Sequence, residues 1–211
     1  AKYGGGFYVD GSGRIELDSS TLSDNSADTW GGGGYAHDSA IIASDTVVQG
    51  NVAGSSGGGL QGDDDSELTL SSVTISGNSA ESYGGGIELS ESDAELSDVT
   101  FEDNVGYYGA HLSLFYRAEA TVSDSSFTGG QGTSGGAVRV GPDGIFEMSR
   151  CEVSDNVSEG SGGGLYLGTD SLTVVTEVDF SGNSADSGGG AIYMYVSDGE
   201  VEISDSTFTG N

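Results

Sequence analysis

The sequence is poor in the residues that build most catalytic and metal sites. Its 211 residues include one cysteine, two histidines and one proline. A single cysteine excludes an internal disulfide, and so few Cys and His side chains argue against a zinc site. Neither histidine stands at a readable spacing from a Ser or Cys partner, so a catalytic triad has no support. The sequence therefore predicts a protein that is not an enzyme and that requires no cofactor.

Positive charge and long apolar runs are also scarce. Lys and Arg number 5 against 34 Asp and Glu, which gives a formal net charge of −29. Nucleic-acid phosphates and anionic lipids repel such a chain, so neither is expected as a partner. No apolar run reaches the ~18 residues that suggest a transmembrane helix. We therefore expect no membrane insertion by this segment.

Glycine, in contrast, is abundant, and its 39 residues recur in clusters. Eight clusters begin at Gly4, Gly31, Gly57, Gly84, Gly109, Gly135, Gly162 and Gly188. Asparagine closes seven of the eight units, at Asn25, Asn51, Asn78, Asn104, Asn156, Asn183 and Asn211. Gly130 takes the asparagine's place in the fifth unit. A period of about 26 residues indicates stacked repeats, so residues 1–211 are predicted to form one domain.

Three short segments in each unit alternate inward and outward residues, which is typical of strands. One ends three residues before the asparagine, at Leu22, Val48, Ile75, Phe101, Phe127, Val153, Phe180 and Phe208. A second lies eight to ten residues before the asparagine. The third follows the glycines, and its inward columns include Phe7, Tyr35 and Leu60, then Val9, His37 and Gly62.

These segments predict an all-β fold, a right-handed single-stranded parallel β-helix of eight coils with three short strands per coil. Each strand pairs with its copy in the next coil, ~4.8 Å away. Phe101 and Phe127 should then lie one above the other in a dry interior. The stacked asparagines should form a ladder, each amide bonding to the next coil. Gly130 interrupts this ladder, so a local weakness is expected there.

The repeat also resembles a known family. Gly-Gly-Ala-Val (Gly135 to Val138) combines with Phe-x-x-Asn (Phe101 to Asn104, Phe180 to Asn183). This combination resembles the repeats of the chlamydial-type polymorphic outer membrane proteins, and the resemblance covers essentially the whole chain. It implies a right-handed, pectin-lyase-like β-helix that is secreted or displayed at the cell surface, often as an adhesin. Leu22, Val48, Ile75 and Val153 depart from the motif, because they replace its phenylalanine.

Carboxylates are the only abundant side chains that could bind a ligand or ion, and Ca²⁺ is the ion that their hard oxygens favour. Six residues before the asparagine, acidic side chains fall in adjacent coils. The candidate calcium ligands are Asp98 with Asp124, Glu177 with Asp205, and the loop residues Asp63, Asp64 and Asp65. The alternative is a solvated acidic surface, which is the commoner role of such residues.

Outward tyrosines give a second candidate site. Tyr166 and Tyr193 occupy the same place in consecutive coils, with Tyr195 close by, and such rings can stack on sugars. Scattered exposed tyrosines are the alternative interpretation.

Three functions remain open from the sequence. The preferred hypothesis is a non-enzymatic extracellular stalk or adhesin, with surface glycans or proteins of a host or neighbouring cell as partners. The chain holds whole coils without a capping helix, so we expect it to be a segment of a longer rod. The alternatives are a filament subunit that associates end to end, and a carbohydrate-binding or carbohydrate-active β-helix.

Overall fold

The computed structural model describes residues 1–195 and 198–211, which wind into a parallel β-helix. The described residues form 29 strands in three sheets, and every strand pairing is parallel. Among these residues, no helix is long and apolar enough to cross a bilayer.

The first sheet, the glycine sheet, consists of the eight strands that follow the glycine turns. Its strands are Phe7–Asp10, Gly34–His37, Leu60–Asp63, Ile87–Ser90, Leu112–Leu114, Val138–Val140, Leu165–Leu167 and Ile192–Met194. The first glycine of each turn has a positive φ, 63° at Gly31 for example, which glycine adopts without steric cost. The last turn begins at Gly189 (φ 62°) and not at Gly188, as the sequence pattern suggested.

The predicted inward columns of this sheet are wrong in the second coil. Phe7 pairs with Gly34, so that Tyr35 aligns with the outward Tyr8. A Cβ atom at Gly34 would lie 2.2 Å from the Phe7 ring, which fills the space that this fourth glycine leaves. Tyr35 and His37 therefore face outward, one residue out of the predicted register.

The second sheet, the double sheet, has 14 strands, two from each coil except the third and fourth, which each contribute one long strand. Its strands are Arg14–Asp18, Thr21–Ser23, Ala40–Ser44, Val47–Gln49, Glu67–Ser76, Asp93–Glu102, Glu119–Ser123, Ser126–Thr128, Ile145–Ser149, Glu152–Ser154, Leu172–Thr176, Asp179–Ser181, Glu200–Ser204 and Thr207–Thr209. Where a coil has two strands, one residue between them bends the chain with a left-handed φ, 52° at Asp124 for example; in the long strand Asp93–Glu102, Asp98 has the same conformation (φ 54°).

The third sheet, the asparagine sheet, was not predicted. Its strands follow the asparagines and are Ser26–Ala27, Val52–Ala53, Ser79–Tyr83, Val105–Tyr108, Gln131–Ser134, Val157–Ser161 and Ser184–Ala185. The inward residue of each strand is small, such as Ala53 or Ser158, and both of these are buried. A strand with a single small inward residue has no apolar alternation from which to recognise it.

Apolar side chains from all three sheets fill the interior of the coil stack. Phe101 and Phe127 are both fully buried, and their rings stack with centroids 4.5 Å apart and planes 12° apart. The predicted pair is therefore confirmed. Phe180 and Phe208 stack in the same way at 4.9 Å, but Phe208 lies in the last coil and remains 48% exposed.

The asparagine ladder is confirmed on both sides of the fifth coil. Asn51 Nδ2 donates to Asn78 Oδ1 at 3.0 Å and also to the Leu22 carbonyl at 2.9 Å. The same side-chain bond joins Asn25 to Asn51, Asn78 to Asn104, Asn156 to Asn183, and Asn183 to Asn211. These amides are mostly buried, so the bonds satisfy groups that water cannot reach.

At Gly130 a histidine from the glycine turn completes the ladder. His111 Nδ1 lies 2.9 Å from Asn104 Nδ2, and His111 Nε2 lies 3.1 Å from Asn156 Oδ1. A Cβ atom at Gly130 would lie 2.7 Å from His111 Nε2, so glycine is needed where the ring passes. The expected weakness at Gly130 is thus absent, because the imidazole replaces the missing amide. These partners require the neutral Nε2–H tautomer.

Acid should destabilise the protein through His111. Burial lowers the pKa of this imidazole from 6.5 to about 4, because the folded chain cannot hydrate the charged ring. As pH falls from 6.5 towards 4, the unfolded chain binds a proton that the folded chain refuses. We expect the free energy of unfolding to fall by about 3 kcal/mol across this window. Denaturant titrations at several pH values measure it. His37→Gln should keep this slope and His111→Gly should lose it, whereas equal slopes in both variants would contradict the assignment.

Candidate functional site

One side of the β-helix, which we call the aromatic face, carries most of the tyrosines and the single tryptophan. It is the outward side of the glycine sheet together with the residues just before each glycine turn. Its members are Tyr3, Tyr8, Trp30, Tyr35, Tyr83, Tyr108, Phe115, Tyr166 and Tyr193. Tyr3, Trp30, Tyr83 and Tyr108 each immediately precede a left-handed glycine. The turn therefore brings these rings beside the outward residues of the following strands.

In the first two coils the rings form two stacked pairs. Tyr3 and Trp30 stack with centroids 5.1 Å apart, and Tyr8 and Tyr35 also stack at 5.1 Å. Tyr35 is consequently only 3% exposed although it faces outward, and its hydroxyl donates to Asp63 at 3.1 Å. Tyr8 remains 46% exposed, so this end of the aromatic face offers a ring to solvent.

In the middle coils, aromatic rings cover the outward strand residues. Tyr83 stacks on Tyr108 at 4.9 Å and contacts the Phe115 ring at 4.8 Å. Tyr83 precedes the strand Ile87–Ser90, whereas Phe115 follows the strand Leu112–Leu114. The two rings thus meet across the outward residues Glu88 and Ser113, which are 3% and 0% exposed.

Glu88 and Ser113 belong to a row that we call the buried polar column, which runs from Gln61 to Arg139; Arg139 alone is only partly buried. Its residues are aligned by strand register, so successive residues lie one coil apart. Gln61 Oε1, Glu88 Oε2 and Ser113 Oγ are all buried without a hydrogen-bond partner. Buried polar atoms are nearly always paired in native proteins. Several orphaned atoms in one column therefore mark this place as unusual in the described structure.

Arg139 closes the column at its far end. Its guanidinium lies 5.0 Å from the centroid of the Tyr108 ring and 5.5 Å from that of Tyr83, so it makes cation–π contacts with both. Nε and Nη1 of Arg139 are nevertheless buried without a hydrogen-bond partner. Burial lowers the pKa of this guanidinium, while Tyr83 and Glu88 act in the opposite direction.

Glu88 is the one fully enclosed acid of this face. Burial raises its pKa well above 4.5, and the nearby Asp63 adds to the effect, while Arg139 opposes it. Loss of hydration penalises the charged carboxylate more than the distant guanidinium favours it. Burial therefore favours the protonated form of Glu88, whose O–H can donate a hydrogen bond.

The structure brings two of the predicted sugar-stacking residues together. Tyr166 and Tyr193 pair in register, and their ring centroids are 5.4 Å apart with planes tilted by 35°. Tyr166 follows Arg139 in the same outward column. Tyr195 comes after the last strand of the glycine sheet and is 57% exposed.

The acids of the predicted calcium column have a structural role at the bends of the double sheet. Asp98, Asp124, Glu177 and Asp205 all occupy the left-handed bend of the double sheet, a conformation that Asp tolerates better than most residues. Asp98 accepts a hydrogen bond from Ser72 at 2.7 Å, whereas Asp124 accepts two from Arg150, each at 2.7 Å. Asp98 is thus bonded to a residue of the preceding coil and Asp124 to a residue of the following coil. This geometry does not support a Ca²⁺ shared by the two carboxylates.

Two side chains of the acidic loop contact other side chains of the protein. Asp63 accepts from Tyr35, and Asp64 Oδ2 lies 3.6 Å from His37 Nδ1. Asp64 and Asp65 both have left-handed φ values, 49° and 58°, as turn residues do. Over residues 1–195 and 198–211, no group of three or more His, Cys, Asp or Glu side chains could hold a metal ion.

Comparison with known proteins identifies the fold family. The family model described as a right-handed β-helix region matches residues 2–135 and 58–211, which together span almost the whole chain. No curated protein and no solved structure matches the chain. The match agrees with the predicted hand and with the eight stacked coils. This chain belongs to the right-handed β-helix family.

Proposed function

We propose that this chain is a non-enzymatic, extracellular or cell-surface module that adheres to saccharides through its aromatic face. The observation that carries the proposal is the concentration of aromatic side chains on one side of the coil stack. Seven of the ten tyrosines and the single tryptophan lie on this face. Aromatic rings offer flat apolar surfaces with polar edges, which match the apolar faces and hydroxyl rims of sugar rings.

The arrangement of the rings suits a long ligand better than a small one. Neighbouring rings pair in the first two coils, in the fourth and fifth, and in the seventh and eighth, where the pair is tilted by 35°. Coils repeat every ~4.8 Å, so the rings follow the axis over a distance of about 30 Å. An extended saccharide chain lying parallel to the axis would contact several of them together.

The positions of the reactive residues support a non-enzymatic role. His111 is fully buried in the asparagine ladder, and Cys151 is buried in the core. Both therefore have structural roles that explain their presence. The acids of the predicted calcium column are bend residues, which likewise need no catalytic explanation.

The resemblance to polymorphic outer membrane protein repeats favours a surface location. Both halves of that motif have clear structural roles here. Its glycines form the turns, Phe101 packs in the core, and Asn104 belongs to the asparagine ladder. The surface charge of −29 favours solubility and suits a secreted protein. A stalk or adhesin is the function that this family resemblance implies.

A second candidate is a longer rod or a filament. In the last coil, Ile203 and Phe208 are 42% and 48% exposed, although their counterparts in the preceding coil, Val175 and Phe180, are fully buried. Further coils of a longer chain, or a second copy joined end to end, would cover these residues. Sedimentation velocity over a range of concentrations distinguishes association of copies from a monomeric segment.

Removal of two rings should weaken saccharide binding. The variant Tyr166→Ala/Tyr193→Ala loses an aromatic pair, and each ring is worth about 1 kcal/mol, so Kd should rise at least about tenfold. A glycan array first selects the saccharide, and calorimetry then measures Kd. The matched control is Val174→Ala, because Val174 is 38% exposed in the double sheet, on another side of the β-helix. Equal losses in both variants, or no binding to any glycan by the unaltered protein, would contradict the proposal.

A further inference from the structure

We propose that Arg139, together with Glu88 and Ser113, forms a subsite for an acidic substituent, a carboxylate or a sulfate, on the saccharide held by the aromatic face. This inference rests on the proposed function and specifies the class of saccharide. It concerns the point where the buried polar column meets the exposed part of the face.

The first argument is that Arg139 has no carboxylate partner among the described residues. Among the described residues, Arg14 and Arg150 pair with Glu16 and Asp124, but no carboxylate lies within 4.0 Å of Arg139. A guanidinium that is buried without a counter-charge is costly, and its two unpartnered N–H groups add to that cost. In a chain of 34 acidic residues, this lack of a partner leaves the guanidinium available to an external anion.

The second argument is the chemistry of its neighbours. Ser113 Oγ and Glu88 Oε2 are buried without partners in the two coils that precede Arg139. A neutral carboxyl and a hydroxyl can both donate hydrogen bonds to an anion's oxygens. Glu88 is 3% exposed, and this burial favours its protonated form, which would not repel that anion. Donors from three successive coils thus face the same side.

The third argument is access. Arg139 and Tyr166 are only partly buried, while Glu88 and Ser113 are enclosed by Tyr83 and Phe115. A ligand would therefore approach beside Tyr166 and reach the guanidinium before the deeper donors. Gly141 leaves room for the Arg139 guanidinium, since a Cβ atom at position 141 would lie 3.2 Å from Arg139 Nη1.

The test compares three trisaccharide probes by calorimetry. These are cellotriose, its counterpart built of glucuronic acid, and cellotriose sulfated on its primary hydroxyls. We expect the unaltered protein to bind at least one acidic probe about tenfold more tightly than cellotriose. The probe that binds more tightly identifies the substituent as carboxylate or sulfate.

Variants then assign the preference to Arg139. Arg139→Gln should abolish the preference for the acidic probe and leave the affinity for cellotriose within about threefold, because the rings remain. Arg139→Lys keeps the charge but loses the planar fork, so it should retain only part of the preference. Thermal melts confirm folding, and Arg139→Lys provides the comparison if Arg139→Gln does not fold.

The outcomes separate this inference from the proposed function. If cellotriose binds and the acidic probes bind no better, or if the Arg139 variants keep the full preference, the subsite is wrong while saccharide binding stands. If no probe binds and no glycan is found on the array, both are wrong.

Discussion

Replacing His111 by alanine is expected to lower the free energy of unfolding by about 3 kcal/mol. The imidazole is fully buried and joins two halves of the asparagine ladder, so its removal leaves a cavity beside Phe101 and Phe127. It also leaves the Asn104 amide with one hydrogen-bond partner fewer in a place that water does not reach. Urea denaturation followed by circular dichroism measures the loss.

A double-mutant cycle tests whether His111 and Gly130 act as one unit. Gly130→Asn alone should destabilise strongly, because its side chain would meet the imidazole and the Gly136 carbonyl. In His111→Gly/Gly130→Asn the ring is gone, and the new amide can bond as in the other coils. The double variant should therefore be more stable than the sum of the single effects predicts, by more than about 1 kcal/mol. Simple additivity would show that the two positions are independent.

Truncation of Phe127 to alanine should cost a further large amount, about 3–5 kcal/mol. Phe127 is fully buried between coils and stacks on Phe101, so alanine leaves a cavity in the middle of the stack. Phe208→Ala is the matched control, because Phe208 makes the same stack on Phe180 but is 48% exposed. Its loss should be no more than about half as large. Equal losses in the two variants would mean that Phe127 is not enclosed as the structure has it.

Periodicity alone was enough to predict the fold. The regular asparagines and glycines set the length of a coil, and apolar residues three positions before each asparagine set the core. These features repeat eight times, so one irregular coil does not obscure them. Phe101 and Phe127 could be paired in advance because every intervening position had a counterpart in the next coil.

Local exceptions could not be predicted, since each depends on a contact between coils. The extra glycine at Gly34 shifts Tyr35 outward because Phe7 occupies its space. The gap at Gly130 is filled by His111, which lies 19 residues earlier in the sequence and in a different turn. Neither of these contacts produces a periodic pattern in the sequence.

The candidate site was predicted only in part. Tyr166 and Tyr193 were recognised because they share one column, but Tyr3, Trp30, Tyr83 and Tyr108 lie in another. A signal was present in the sequence, since each of these four residues directly precedes a glycine turn. Burial of Glu88 beneath Tyr83 and Phe115 could not be foreseen, because outward strand residues are ordinarily solvated.

The most direct test of the central claim is a crystal structure of the chain with the saccharide that the glycan array selects. We expect the sugar rings to lie along the aromatic face, stacked on Tyr166 and Tyr193 and parallel to the axis of the coils. Saccharide bound on the double sheet or the asparagine sheet, with the aromatic face empty, would contradict the claim.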